Sequence, residues 1–380
     1  MKIERTCVAA VGAALAVFCG CGPDDGSREF AAGKSAFDQG DWRKAERSFA
    51  ASAVRAPANV DTWMYLARAQ LALGSLVDAR KSVFKAEELA GDETDVRLLS
   101  AQIAWHAKDY EGAKKGFAAL ANDKSLGPEL QAEGWTGVGI VEMTCDRRDQ
   151  ARVAFLRAIR LDRRNAAARY HLGLLYRDSF TYGEAALEQF NVYVRLDEVA
   201  SPRVQRVQRS LIPELQETIA RSAAERPGAA KRDSAAAAAA IAKAEAAWKK
   251  GNFKTARVAY QEALKSDPLS YPAALGLAKA HLKTDSTQKG QLQALAAYNQ
   301  ACTLRPSAIS TFLAAADLAV KVGHNAEATA IYSRAVAADP ASLDALDGLI
   351  RSLRRAKGGS SPAAQAYQSY RDFLAAGKKK

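Results

Sequence analysis

An alanine followed four residues later by an aromatic recurs along the chain, at Ala45/Phe49, Ala113/Phe117, Ala151/Phe155, Ala186/Phe190, Ala256/Tyr260, Ala294/Tyr298, Ala328/Tyr332 and Ala366/Tyr370. Ala79/Val83 keeps the place with a weaker partner. The nine alanines are spaced by 34, 34, 38, 35, 70, 38, 34 and 38 residues, a 34-residue period with loop insertions and one doubled gap. Twelve residues after four of them stands a proline: Pro57, Pro268, Pro306 and Pro340. A fixed period of this length means one supersecondary unit copied in tandem, each copy needing a neighbour to bury its apolar face. The four-residue spacing puts alanine and aromatic on one face of a helix, which the proline then ends. Composition agrees: aromatics are only 8%, alanine crowds almost every segment, and no alternating run of Val, Ile, Thr and Tyr reads as a strand. The chain is all-α, and at 48% hydrophobic it is too apolar to be disordered.

Some twelve residues upstream of the alanines the other half of the unit appears, as Trp63-x2-Leu66-Ala67, Trp135-x2-Val138-Gly139 and Leu172-Gly173-x2-Tyr176. The pattern resembles the tetratricopeptide repeat, W-x2-L-G-x2-Y, then A-x3-F, then P, over about 27 to 376 except 201 to 235. The resemblance implies an α-α superhelix of about nine helix-turn-helix repeats. Small residues (Gly33, Ala67, Gly139, Gly173 and the anchor alanines) let antiparallel helices approach, and bulky Phe or Tyr fills the space against the next repeat. Gly40, Gly74, Gly251 and Gly323 fall between helices, where a C-capping glycine is expected.

The doubled gap separates two arrays, about five repeats over 21–200 and about four over 236–377. In the 201–235 bridge, Val204, Val207, Leu211, Leu215 and Ile219 line one helical face, and Pro213 is placed to begin a second helix; the gap also leaves room for a degraded repeat. Residues 224–234, with Pro227-Gly228, have almost no apolar bulk and read as a linker. Ala235–Ala240 opens the first helix of the sixth repeat, because alanine is the best helix former.

Residues 1–20 read as a secretory signal peptide: Lys2 and Arg5 precede a 12-residue apolar stretch, Cys7 to Phe18, too short for a permanent span. Phe18-Cys19-Gly20-Cys21 resembles the lipobox of bacterial lipoproteins, which implies that the chain is cut before Cys21 and lipidated there. Phe18 departs from the leucine usual at that place. Beyond the signal no apolar run is long enough for a bilayer helix. Cys145 and Cys302 then remain in the folded part, 157 residues apart and in different repeats, so no disulfide framework is expected. The net charge of +12 is spread along helices and interleaved with acids, densest from Arg147 to Arg164, and reads as a solvated surface with no specific nucleic-acid site.

Chemistry-bearing motifs are missing: no H-E-x-x-H, C-x-x-C pair, G-x-x-x-x-G-K-S/T or G-x-S-x-G. His106, His171, His281 and His324 fall in four repeats without ligand spacing, and Gly134–Gly139 lies inside a repeat helix. The expectation is a non-enzyme without cofactor or metal whose function is carried by its surface. The resemblance implies a concave groove lined by first helices. It places there Phe30, Lys34 and Phe37; Met64, Tyr65, Arg68 and Leu71; Gln102, Trp105 and His106; Ile140 and Met143; and Tyr170, His171 and Arg177. Aromatics, Met and Arg are residues enriched at interface hot spots. The second array offers a more basic groove with Trp248, Lys279, Lys283, Lys321 and Arg351. Together these readings describe a lipid-anchored scaffold of the bacterial cell envelope, on the outer membrane facing the periplasm, binding peptides or protein subunits of an assembly. The alternative is an envelope cofactor that recognises peptidoglycan or an exported polysaccharide through the basic groove.

Overall fold

The computed structural model describes residues 25–178, 182–196, 201–225, 232–356 and 361–377. Cys21 and the signal segment, Pro227-Gly228 and residues 357–360 lie outside them. The described residues form helices and turns: α1 (Ser27–Asp38), α2 (Trp42–Arg55), α3 (Val60–Ala72), α4 (Leu76–Ala90), α5 (Thr94–His106), α6 (Tyr110–Asn122), α7 (Pro128–Thr144), α8 (Arg148–Leu161), α9 (Ala166–Arg177), α10 (Gly183–Leu196), α11 (Pro202–Arg206), α12 (Ile212–Ala224), α13 (Ser234–Lys249), α14 (Phe253–Ser266), α15 (Tyr271–Thr284), α16 (Gln288–Leu304), α17 (Ile309–Lys321), α18 (Asn325–Ala338), α19 (Leu343–Ala356) and α20 (Pro362–Gly377). Consecutive helices pack as hairpins, as α1 does on α2, α9 on α10, α13 on α14 and α19 on α20. The fold is the expected all-α stack of helical-hairpin repeats.

Chain punctuation sets each hairpin. Gly40, Gly74, Gly251 and Gly323 take φ of 74 to 84°, the left-handed conformation glycine adopts without a Cβ clash. The next residue then donates its N–H back across the helix end, as from Asp41 to Ala36 O at 2.9 Å and from His324 to Ala319 O at 2.8 Å. Lys108 and Asp146 hold the same place in the third and fourth repeats with φ of 63 and 55°, and make the same closing bonds. Second helices are capped by Asp41, Asp109 and Asn252, whose side chains accept from the N–H three residues on. α2, α14, α16 and α18 each stop two residues before Pro57, Pro268, Pro306 and Pro340.

The core is a row of alanine–aromatic contacts. Ala45, Ala79, Ala113, Ala151, Ala186, Ala256, Ala294 and Ala328 are fully buried. Ala366 is a correction: it lies half-exposed, and α20 buries Ala364, Tyr367, Tyr370 and Leu374 instead. Helix phase is set by the whole apolar stripe, and here the stripe runs past the alanine–aromatic pair. Glycines make room for the rings. A Cβ on Gly33 or Gly173 would meet Phe49 or Phe190 of the same hairpin at 2.7 Å, and one on Gly276 would meet Tyr260 of the preceding hairpin at 2.4 Å.

In the bridge, Val204, Val207, Leu211 and Leu215 are buried as the spacing implied, while Ile219 is less so. A π-helical turn, Val207–Leu211, joins α11 to α12 just before Pro213, which has no N–H to continue an α-helical ladder. Past the undescribed stretch, Arg232 grips Asp267 through two hydrogen bonds of 2.7 and 2.9 Å, and Asp233 N–H donates to Ser266 O. Contacts divide the chain into two compact units. One comprises residues up to Arg147 with Arg157–Asn165, the other Arg148–Leu156 with Ala166 onward. No described helix is long and apolar enough to cross a membrane.

Candidate functional site

The candidate surface is built on first helices. In the first unit, α1 and α3 gather Phe30, Phe37 and Tyr65 around the buried ring of Phe49. Phe30 and Phe37 both stand edge-on to Tyr65, with centroids 5.6 and 5.5 Å away, and Phe49 stacks on it at 5.4 Å. Tyr65 keeps part of its surface open, and two cations lie over it: Lys34 Nζ at 5.3 Å and the Arg68 guanidinium at 5.5 Å from the ring centroid. An aromatic ring attracts cations to its negative face, so Tyr65 orders both charges while leaving their hydrogen-bonding ends for an anionic or polar ligand.

Further along, Gln102 is exposed on α5, and Trp105 is half-buried, its Nε1 donating to Thr144 Oγ1 at 3.3 Å and its ring edge-on to His106 at 4.6 Å. Burial holds His106 below the ordinary histidine range. Ile140 and Met143 on α7 are half-buried.

Met64 and Leu71, both expected in the groove, are corrected to core. Met64 is 3% exposed and packs with Leu71, Val83 and Leu99 between hairpins. Consecutive residues on a helix point about 100° apart, and here Tyr65, with a polar tip, lies on the open side while Met64 lies on the side packed between hairpins. Leu71 stands two helical turns on from Met64 and follows it inward.

In the second unit, Tyr170 lies against Tyr193 and Phe190 with Arg203 over its ring at 5.0 Å, and His171 stacks flat on Phe155 at 5.8 Å. Burial, with Arg203 adding to it, lowers His171 to about 4. Neither residue is fully covered, and Arg177, also half-exposed, binds the adjacent Asp178. Lys279, Lys283, Lys321 and Arg351 are exposed and Trp248 is half-buried.

No cluster of potential metal ligands occurs among the described residues. His281 is buried with its pKa lowered by burial and Arg257, and His324 pairs with Glu327 at 2.9 Å. Cys145 and Cys302 are free, and burial pushes the Cys302 thiol up to about 12, far from a reactive thiolate. The arginine-dense stretch held one thing the sequence reading missed: Arg152 and Arg157 are turned inward, Arg157 against Trp135 at 4.4 Å. Nothing in the local charge pattern separates these two from the other five arginines of the stretch.

The tetratricopeptide repeat profile matches residues 30–94, 146–201 and 241–309, half of the chain. No curated protein matches it in sequence. Similar solved structures include a MamA protein, 18% identical over 49% of this chain and 96% of that one, with a TM-score of 0.36. PilF of Pseudomonas aeruginosa is 14% identical over 66% and 95%, at 0.40. The APC/C hetero-tetramer Cut9–Hcn1 is 14% identical over 92% and 79%, at 0.34. With its period, capping turns and alanine–aromatic core accounted for residue by residue, the chain belongs to the tetratricopeptide repeat family.

Proposed function

We propose that the protein is a non-catalytic scaffold of the bacterial cell envelope, lipid-anchored at Cys21, which binds peptides or protein subunits through the first helices of its repeats. The observation that carries the binding reading is Tyr65, half-open, backed by Phe30, Phe37 and Phe49, with Lys34 and Arg68 on its ring. Rigid aromatics flanked by cations are what a surface needs to bind a peptide side chain at little entropic cost. Gln102 and Trp105 extend the same kind of surface along α5.

Trp105→Ala is the test, with Tyr65→Ala plus Tyr170→Ala beside it. In an envelope pull-down each should weaken partner recovery at least about tenfold, roughly 1.4 kcal/mol, with circular dichroism still helical. Lower stability with normal recovery returns Trp105 to packing and moves the reading to the basic surface of Trp248, Lys279, Lys283, Lys321 and Arg351, where a peptidoglycan or polysaccharide ligand would bind.

A further inference from the structure

α8 is covered where α14 faces water. Counted from the anchor Ala256, positions two and five residues on in α14 are Val258 and Gln261, both exposed; counted from Ala151, the same positions in α8 are Val153 and Leu156, both buried. α18 departs in the same way. Ser333 and Ala337, five and nine residues past Ala328, are buried where Gln261 and Lys265 of α14 are exposed.

Between these helices lies Arg152, 4% exposed. Its Nε donates to the Tyr367 hydroxyl of α20 at 2.5 Å, and Nη2 donates to that hydroxyl as well. Nη2 also donates to Ser333 Oγ at 2.8 Å and to Asp149 Oδ1 at 3.1 Å, and Nη1 to Ser333 O at 3.4 Å. The Tyr367 hydroxyl in turn donates to Asp149 Oδ1 at 2.8 Å, and Tyr182 donates to Ser333 Oγ at 2.8 Å. The guanidinium lies 5.1 and 5.7 Å from the Tyr367 and Tyr182 ring centroids. A buried charge is tolerated only when it is paired and hydrogen-bonded in this way, and the partners come from sites 181 and 215 residues along the chain.

We propose that α18 and α20 latch onto α8 through Arg152, tying the last two repeats to residues 148–156. Sequence-adjacent hairpins are held by rings set into glycine and alanine surfaces, as Tyr332 is against Gly348; this junction adds a buried guanidinium set against the Tyr367 ring. The junction joins buried Val153, Leu156 and Ala337 to oriented hydrogen bonds on one guanidinium. Arg152, Ser333 and Tyr367, which form the latch, are not among the residues of the binding surface proposed above.

Hydrogen–deuterium exchange on the full chain tests it, with Arg152→Met, which keeps the stem, Tyr367→Phe, which removes only the hydroxyl, and the double variant. Each single variant should speed amide exchange about tenfold or more in both α8 (residues 148–156) and α18. Exchange in α2 and α14 should not change, and the double variant should be no faster than either single. Faster exchange confined to the substituted helix, additive effects of the two substitutions, or no change in α8 and α18 would overturn the latch. Should Arg152→Met fail to fold, Tyr367→Phe alone decides: faster exchange in α8 and α18 supports the latch, and faster exchange confined to α20, or none in α8, overturns it.

Discussion

Three histidines share one physical condition. His106, His171 and His281 are all held below the ordinary histidine range, in each case first by burial, with Arg203 and Arg257 adding to the effect at His171 and His281. A histidine whose folded pKa is depressed binds its proton more readily in the unfolded chain, so acid favours unfolding. For His171 the loss runs from the unfolded value, about 6.5, down to about 4, below which both states are protonated. The denaturation midpoint should therefore fall between pH 7 and 4, and less steeply in His171→Gln. An equal slope in that variant would mean the ring titrates as it does unfolded. Asp123 acts in a lower window: its Ser125 hydrogen bonds and Arg97 hold it at about 2, so its contribution is present at neutral pH and lost only as pH falls from about 4 toward 2.

At the scale of the element, α8 departs most from its siblings, with every residue from Ala151 to Ala158 buried. A bulkier side chain at the anchor has nowhere to relax. Ala151→Leu should lower stability by about 1–3 kcal/mol, seen as a lower thermal midpoint, while Ala366→Leu, at a half-exposed site, should change it far less. Equal effects would mean that α20 packs in the register of its alanine–aromatic pair.

On the scale of the whole molecule, two expectations concern segments that lie wholly or largely outside the described residues. Limited proteolysis should cut first between about 224 and 234, where the sequence has almost no apolar bulk. With the latch in place the fragments should co-elute, and in Tyr367→Phe they should separate. Primary cleavage within a repeat would argue against a linker there. The lipid anchor is tested by radiolabelled palmitate, incorporated by the wild type and lost in Cys21→Ser; label kept by that variant would end the lipoprotein reading.

Local rules were enough for much of this protein. The 34-residue period, the glycines at positive φ, the prolines that end second helices and the fully buried anchor alanines depend on neighbours in sequence or in the adjacent hairpin, and repetition prints such contacts many times over. Rotation about the helix axis was legible only in part, because an apolar residue such as Met64 suits a groove or a core equally until its neighbour Tyr65 has been placed. The fate of Arg152 was decided by tertiary structure alone. In sequence it is one arginine among seven in a charged stretch, and the hydroxyls of Tyr367 and Ser333 that make its burial tolerable stand 215 and 181 residues away, a separation that no local pattern encodes.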